Sequence, residues 1–203
     1  MQAFVEQNYQ FVATLLASVG HHGYISSVHF AIGWKYDGHT HPELKDKHVL
    51  AVACDRHKQQ WDFPGGRNEN FSADPVVQVL ETAYKELNEE IAVVITAPLE
   101  SFVLEIIPCG RNKRNMLVVC GIKGLCATRF RDAMNYKQSI RPRLPSRFLE
   151  MTDFTYLCAE DVCLLAHSTS YVNRQHSRAL DLIKNHSGVF PEFDSVMRID
   201  VRW

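Results

Sequence analysis

The chain has 203 residues, which suffices for one domain with a real core and is somewhat long for a minimal one. Hydrophobic residues make up 46% and charged residues 22%, ordinary globular values. A formal net charge of −1 excludes any global electrostatic pull toward nucleic acid or membrane, while leaving room for a local patch.

In chain order, residues 2–18 set Phe4, Val5, Phe11, Val12, Leu15 and Leu16 at the spacing of an amphipathic helix, with Gly20 as its stop. Glu6, Gln7, Asn8 and Gln10 in the same stretch argue against a signal peptide. A strand is expected from Val28 to Trp34, a polar loop over 38–47 and a short buried strand over 49–54. Phe63-Pro64-Gly65-Gly66 breaks regular structure, and 67–73 reads as loop. Asp74 before Pro75 is a helix start, with Asp as N-cap and Pro in the first turn, and this helix runs to about Glu90. Residues 91–95 lead into extended structure. Strands follow over 102–107 and 116–122, joined by a polar turn that carries Arg111, Lys113 and Arg114. Residues 129–148 read as basic and irregular. A short strand spans 154–157, a helix begins near 160–166, and a better one covers 173–186 with Ala179, Leu182 and Ile183 on one side.

Strands and helices are interspersed, so the expectation is a single α/β domain over 1–203 with a mixed sheet, residues 1–25 forming an N-terminal helical extension. No segment has the apolar length to span a bilayer, so the chain reads as soluble and cytoplasmic. The cysteines at 54, 109, 120, 126, 158 and 163 include no C-x-x-C pair, and several lie in apolar runs; they read as buried reduced thiols, not a disulfide framework.

The stretch that carries chemistry is Lys85-Glu86-Leu87-Asn88-Glu89-Glu90. Helical residues three and four apart share a face, so Glu86 lies near both Glu89 and Glu90. Carboxylates crowded this way repel one another unless a cation neutralises them, and carboxylate oxygens suit hard Mg²⁺. By themselves they equally describe a solvated acidic helix face. The context upstream changes that balance: Trp61-Asp62-Phe63-Pro64-Gly65-Gly66 ends a strand-like segment about one helix length ahead, and paired glycines let backbone approach a ligand closely.

A strand, a Gly-Gly loop and an acidic helix resemble the loop–helix–loop of the Nudix hydrolases, whose pattern is G-x5-E-x7-R-E-U-x-E-E-x-G-U with U a bulky apolar residue. Gly66 is similar to its first Gly, and Lys85 to Val93 to its second half. Gly66 to Lys85 is nineteen positions where the pattern has fourteen; four of the five extra residues make one additional helical turn after Asp74-Pro75. Ser72 or Ala73 stands where the middle Glu belongs. Glu69 matches an acidic position three residues after the second Gly. Lys85 replaces the family Arg, keeping charge without the bidentate fork, and Ala92 replaces the final Gly, so the helix exit lacks the residue best suited to a left-handed turn. Glu150 to Val162 resembles the family's closing segment: an acidic residue, a short strand with an aromatic, then an acidic pair opening a helix.

The resemblance implies a Nudix-type α/β/α sandwich with a central mixed sheet. It implies metal-dependent hydrolysis of a phosphoanhydride in a nucleoside diphosphate linked to another moiety. It implies Mg²⁺ or Mn²⁺ held by Glu86 and Glu90, with Glu89 as a further ligand or a base and a backbone carbonyl near Gly65 or Gly66 completing the shell. Glu86, Glu89 and Glu90 are the catalytic set. Glu150 is the candidate general base outside the helix, with a surface loop glutamate as its plain alternative. Lys85 orients a glutamate more readily than it touches substrate. Arg67, Glu69, Arg111 and Arg114 are the candidate substrate-binding residues. Pro108 sits sixteen residues past Ala92, a spacing that marks ADP-ribose hydrolases in this family; a strand-terminating proline explains it equally well. ADP-ribose or a related ADP-linked compound comes first as substrate. A nucleotide-sensing module and an RNA decapping enzyme are the alternatives, the latter because Arg111, Lys113, Arg114, Arg141, Arg143 and Arg147 could converge on phosphates. The expected partners are a small nucleotide, conceivably RNA, and no membrane; a homodimer built on the N-terminal helix is offered by analogy alone. His39 and His41, spaced His-x-His without Cys partners, are an unspecific zinc signal, and His21-His22 reads as polar loop.

Overall fold

The computed structural model of the protein describes residues 1–36, 38, 42–124, 127–186 and 188–200. His39, His41 and Cys126 lie outside the described residues. The elements are α1 (Gln2–Ser18), β1 (Ser27–Lys35), β2 (His48–Asp55), β3 (Trp61–Asp62), β4 (Gly65–Arg67), α2 (Pro75–Ile91), β5 (Val93–Ile95), β6 (Val103–Cys109), β7 (Asn115–Gly121), α3 (Ala127–Ser139), β8 (Met151–Leu157), α4 (Val162–Ala166), α5 (Ser170–His186), α6 (Phe193–Val196) and β9 (Met197–Ile199).

The period-two alternation of the strands builds two cores, one on each face of a mixed sheet. Val28, Phe30, Ile32 and Trp34 of β1, Val49, Ala51 and Ala53 of β2, and Met116, Val118 and Cys120 of β7 point to one face. Val12 and Leu16 of α1, Val79, Leu80 and Leu87 of α2, and Phe130 of α3 cover it. Ala31, Leu50, Val52, Leu117 and Val119 point to the other face, where Val172, Ala179 and Ile183 of α5 cover them. The expected α/β/α sandwich is therefore what forms.

The sheet has seven strands in the order β3-β2-β1-β7-β6, with β4 also on β1 and β8 also on β2. β1 and β7 run parallel and the other pairs antiparallel. β1 changes partner along its length: Gly33–Lys35 pair with β2, whereas Ser27–His29 pair with β4. β2 in turn leaves β1 and takes β3 at Ala53 and Cys54. The fork between β1 and β2 holds Phe63-Pro64-Gly65-Gly66, pinned by Phe30 N–H donating to Pro64 O at 2.7 Å. That fork sets the glycine loop against α2.

Three expectations change. Residues 129–148 are not irregular: α3 buries Phe130, Ala133, Met134 and Lys137, a helical stripe hidden in the sequence by its lysine. The glycine segment is not simply a break, since Gly65–Arg67 pairs as a strand through a ladder that apolar periodicity does not report. Beyond residue 186, where no element was expected, α6 and β9 form, and β9 pairs with β5 in a separate two-stranded sheet. Helix α1 is bound into the domain core: Phe4, Val12 and Leu16 are buried, and the buried Asn8 accepts from Leu99 N–H at 2.7 Å. Cys54, Cys109, Cys120 and Cys158 are buried free thiols, as read, but Cys163 is exposed. Pro108 pairs with Met116 on the edge strand β6, a position where proline interrupts no central ladder. No helix among the described residues is long and apolar enough to cross a membrane.

Candidate functional site

Asp74 starts α2 as expected: its Oδ1 accepts from Val76 N–H at 2.8 Å, and its Oδ2 accepts from Tyr9 Oη at 2.7 Å. Val76, Val79, Leu80, Ala83, Leu87 and Ile91 then form the stripe that faces the sheet. That stripe fixes the rotation of the helix, and so turns Glu86, Glu89 and Glu90 toward the glycine loop. The helix ends with Ala92 left-handed at φ 58°, donating its N–H to Asn88 O at 3.1 Å. The left-handed exit thus survives without glycine, at a cost of about 1 kcal/mol.

The loop's glycines are required by contact. Gly65 has φ +141°, and a Cβ there would collide with Val28 O and His29 Cα. A Cβ at Gly66 would collide with the Glu86 carboxylate. Gly65 N–H donates to Glu90 Oε2 at 2.6 Å, tying loop to helix.

These elements enclose a cavity of about 600 Å³ in which Glu86, Glu89, Glu90, Glu150, Gly65, Gly66, Arg67 and Glu69 all take part. Carboxylates dominate its wall: Asp55, Asp62, Glu69, Glu86, Glu89, Glu90 and Glu150 face Lys58, Arg67, Lys85 and Arg147. Burial pushes the Glu86 carboxyl up to about 7, against the opposing pull of Lys85 and with added repulsion from Glu89, Glu69 and Glu150. Burial also raises Glu89, opposed by Lys85 and Arg147. It raises Glu90 well above the ordinary range, opposed by the Gly65 N–H and reinforced by Glu86, Asp62 and Glu150. Each carboxylate is held where its charge is poorly solvated and close to like charge.

Among the described residues, no three His, Cys, Asp or Glu side chains converge into a ready metal cage. The expected set shares a wall without converging for an identifiable reason: Glu90 is engaged by the loop, Glu89 Oε1 meets Arg147 Nε at 3.0 Å, and Glu86 packs on Gly66. The donor chemistry nonetheless fits a hard divalent cation, because mutually repelling, desolvated carboxylates are what such an ion would neutralise.

Lys85 pairs with Glu69, so the glutamate it orients belongs to the loop rather than the helix. Arg147, one of the basic residues noted in the sequence, reaches the site; Arg141 and Arg143 remain exposed on the preceding turn. Arg111 and Arg114 are exposed on the β6–β7 turn and lie outside the lining, though their neighbour Asn115 belongs to it. The turn projects from the sheet end, so its longer side chains point to solvent.

Sequence reasoning missed His29, Asp62 and Lys137. His29 and Asp62 line the cavity; burial lowers the first and raises the second. The available signal was a histidine inside an apolar strand. Lys137 of α3 is buried and donates to Glu89 O at the last turn of α2, where a cation complements the helix dipole. Burial brings it down to about 8, opposed by Glu90 and Glu89.

No family model matches the chain, and no curated protein matches it. Solved structures do. The chain is similar to a UDP-X diphosphatase at 13% identity, over 91% of this chain and 75% of that one, with TM-score 0.42. It is similar to the NUDIX domain of Shewanella oneidensis NrtR complexed with ADP ribose at 12% identity, over 85% and 96%, TM-score 0.43. A NUDIX hydrolase from Nitrosomonas europaea aligns at 11% identity, over 83% and 78%, TM-score 0.44. At these scores the functional argument rests on the chain's own residues.

Proposed function

We propose that the protein is a Nudix-type pyrophosphohydrolase that uses Mg²⁺ or Mn²⁺ to hydrolyse a phosphoanhydride in a nucleoside diphosphate linked to another moiety. The observation that carries this reading is the set Glu86, Glu89 and Glu90, the first half-buried and the other two buried, on one wall with Gly65 and Gly66 pressed against them and Glu150 lining the same cavity. A carboxylate-rich pocket that also offers Arg67, Lys85 and Arg147 suits a phosphate chain accompanied by a cation.

Glu86, Glu89 and Glu90 would hold the divalent ion, with backbone at Gly66 as a further ligand. When bound, the ion neutralises pyrophosphate charge and lowers the pKa of water. The chain's own groups do the remainder. Arg67 and Arg147 orient phosphate oxygens, and Arg147 is already held by Glu89. Lys85 and Glu69 brace each other at the rim. Gly65 N–H fixes the Glu90 carboxylate, so its position needs no reorganisation during reaction. Glu150, exposed at the cavity, takes a proton from the attacking water. Arg111 and Arg114 are assigned to the far end of a longer substrate.

An ADP-linked compound such as ADP-ribose is put first among substrates. A sensing module that binds without cleaving is the second reading, favoured by the missing middle Glu of the motif. A panel of ADP-ribose, dinucleotides, nucleotide sugars and capped RNA, with Mg²⁺ or Mn²⁺, decides between them. Turnover of at least one member is expected, falling about a hundredfold or more in Glu89→Gln and Glu90→Gln with the melting curve preserved. Unchanged turnover in both variants would sink the site assignment; tight binding without turnover would leave the sensing module.

A further inference from the structure

A second cavity of about 770 Å³ adjoins the glutamate cavity along α2, with Tyr84 and Phe148 in its wall. Met1 and Phe71 also line it and are 59% and 100% exposed, Phe71 being the most exposed large apolar side chain among the described residues. An uncovered phenylalanine is costly to leave in water. The loop nevertheless presents it outward by a ladder of alternate side chains. Asn68 Oδ1 accepts from Asn70 N–H at 2.8 Å, Asn70 Oδ1 from Ser72 N–H at 2.8 Å, and Ser72 Oγ from Asp74 N–H at 3.2 Å. Asn68 Nδ2 anchors the ladder on Ile25 O at 2.8 Å, and Asn70 Nδ2 donates to Glu81 of α2. The charges that line the cavity are three of each sign, Arg67, Lys85 and Arg147 against Glu69, Glu81 and Glu89. Lys85 pairs with Glu69 and Arg147 with Glu89. The two left over, Arg67 and Glu81, are opposite in sign.

We propose that this face is a two-fold interface between copies of the chain, in which Phe71 of each copy inserts into the cavity of the other. The face carries both a projecting ring and a hollow, and a two-fold interface requires such a self-complementary patch. Insertion covers the one ring the loop holds in water and sets it beside Tyr84 and Phe148, where aromatic neighbours add to the burial. The charges favour a second copy over other occupants. The face has no excess of either sign, so a nucleic acid or a strongly charged peptide gains nothing there. Two copies meet without net repulsion, and the two-fold axis sets Arg67 of one toward Glu81 of the other. The interface lies beside α2 and not on the apolar side of α1, since Phe4, Val12 and Leu16 of that helix are already used in the domain core. The proposal stands independently of the hydrolase reading.

The test is sedimentation equilibrium of the full chain from about 1 to about 200 μM, where a specific dimer is populated. Wild type should fit a monomer–dimer equilibrium. Phe71→Asp, at a position fully exposed in the single chain, should keep the far-ultraviolet circular dichroism of wild type and raise the dimer Kd about a hundredfold or more, because both rings are lost. Phe71→Leu, which keeps an apolar side chain there, should stay within about tenfold of wild type. The seating is read by cross-linking: photoreactive p-benzoylphenylalanine in place of Phe71, in a mixture of isotopically heavy and light chains, should join heavy to light at peptides containing Tyr84 or Phe148. A wild type that is monomeric throughout overturns the interface and leaves the cavity to another occupant. Undiminished association of Phe71→Asp overturns it as well, as do heavy–light cross-links confined to peptides remote from the cavity.

Discussion

Helix α2 borders two cavities. Its loop-facing wall carries the half-buried Glu86 and the buried Glu89 and Glu90, whose carboxyls burial raises; an adjoining wall carries Asn88 and Tyr84 beside Phe71 and Phe148. Both are built from one seventeen-residue helix whose third face is locked onto the sheet by Leu80, Leu87 and Ile91. The apolar stripe fixes the rotation, and everything not needed for packing is left to do chemistry on either side. On the charged side, geometry is over-determined by the fork of the sheet and the Gly65 N–H. On the aromatic side, Phe71 stands on a loop with nothing packed over it. Substitutions should therefore be felt in stability on the first side and little at Phe71 on the second.

The largest expected break is Gly65→Ala. It places a side chain at φ +141° and drives it into Val28 O, so unfolding stability should fall by about 2–4 kcal/mol. Chemical denaturation measures it, and a loss below 1 kcal/mol would mean that the fork does not constrain the loop. Next in size is the pH response of Glu86. Its folded pKa of about 7 lies above the ordinary 4.5, so the folded state binds this proton more tightly than the unfolded chain. The stabilisation is complete below 4.5 and is lost as pH rises through 7. In chelator, wild type should lose about 1–2 kcal/mol between pH 5 and pH 8 from this group, discounted for its partial exposure, and Glu86→Gln should lose less. Identical pH slopes in thermal melts of the two proteins would refute it. The smallest effect is Asp74→Ala, which removes the N-cap and the Tyr9 contact at the end of α2 remote from the glutamates. Stability should drop by about 1 kcal/mol while kcat on the preferred substrate stays within twofold.

Residues whose role depends on near neighbours were legible. Asp74-Pro75 announced the helix start, and Glu86, Glu89 and Glu90 fell on one face because three and four residues make one turn. The interspersed strands and helices announced an α/β domain with a mixed sheet, and the resemblance implied the sandwich. Helix α3 was not legible, because a lysine completes its buried stripe and is held there by the Glu89 carbonyl contributed by α2.

By itself, then, the sequence determined the helix α1, the strands β1, β2, β6 and β7, the acidic helix and the glycine loop ahead of it, all consequences of local stereochemistry and periodicity. Only the tertiary structure decided that the loop is a strand in a forked sheet, that Arg147 rather than Arg111 or Arg114 meets the glutamates, and that Phe71, Asn88 and Phe148 share a cavity. These are contacts between residues far apart in the chain. Their energies depend on burial and approach distance, which no single segment encodes.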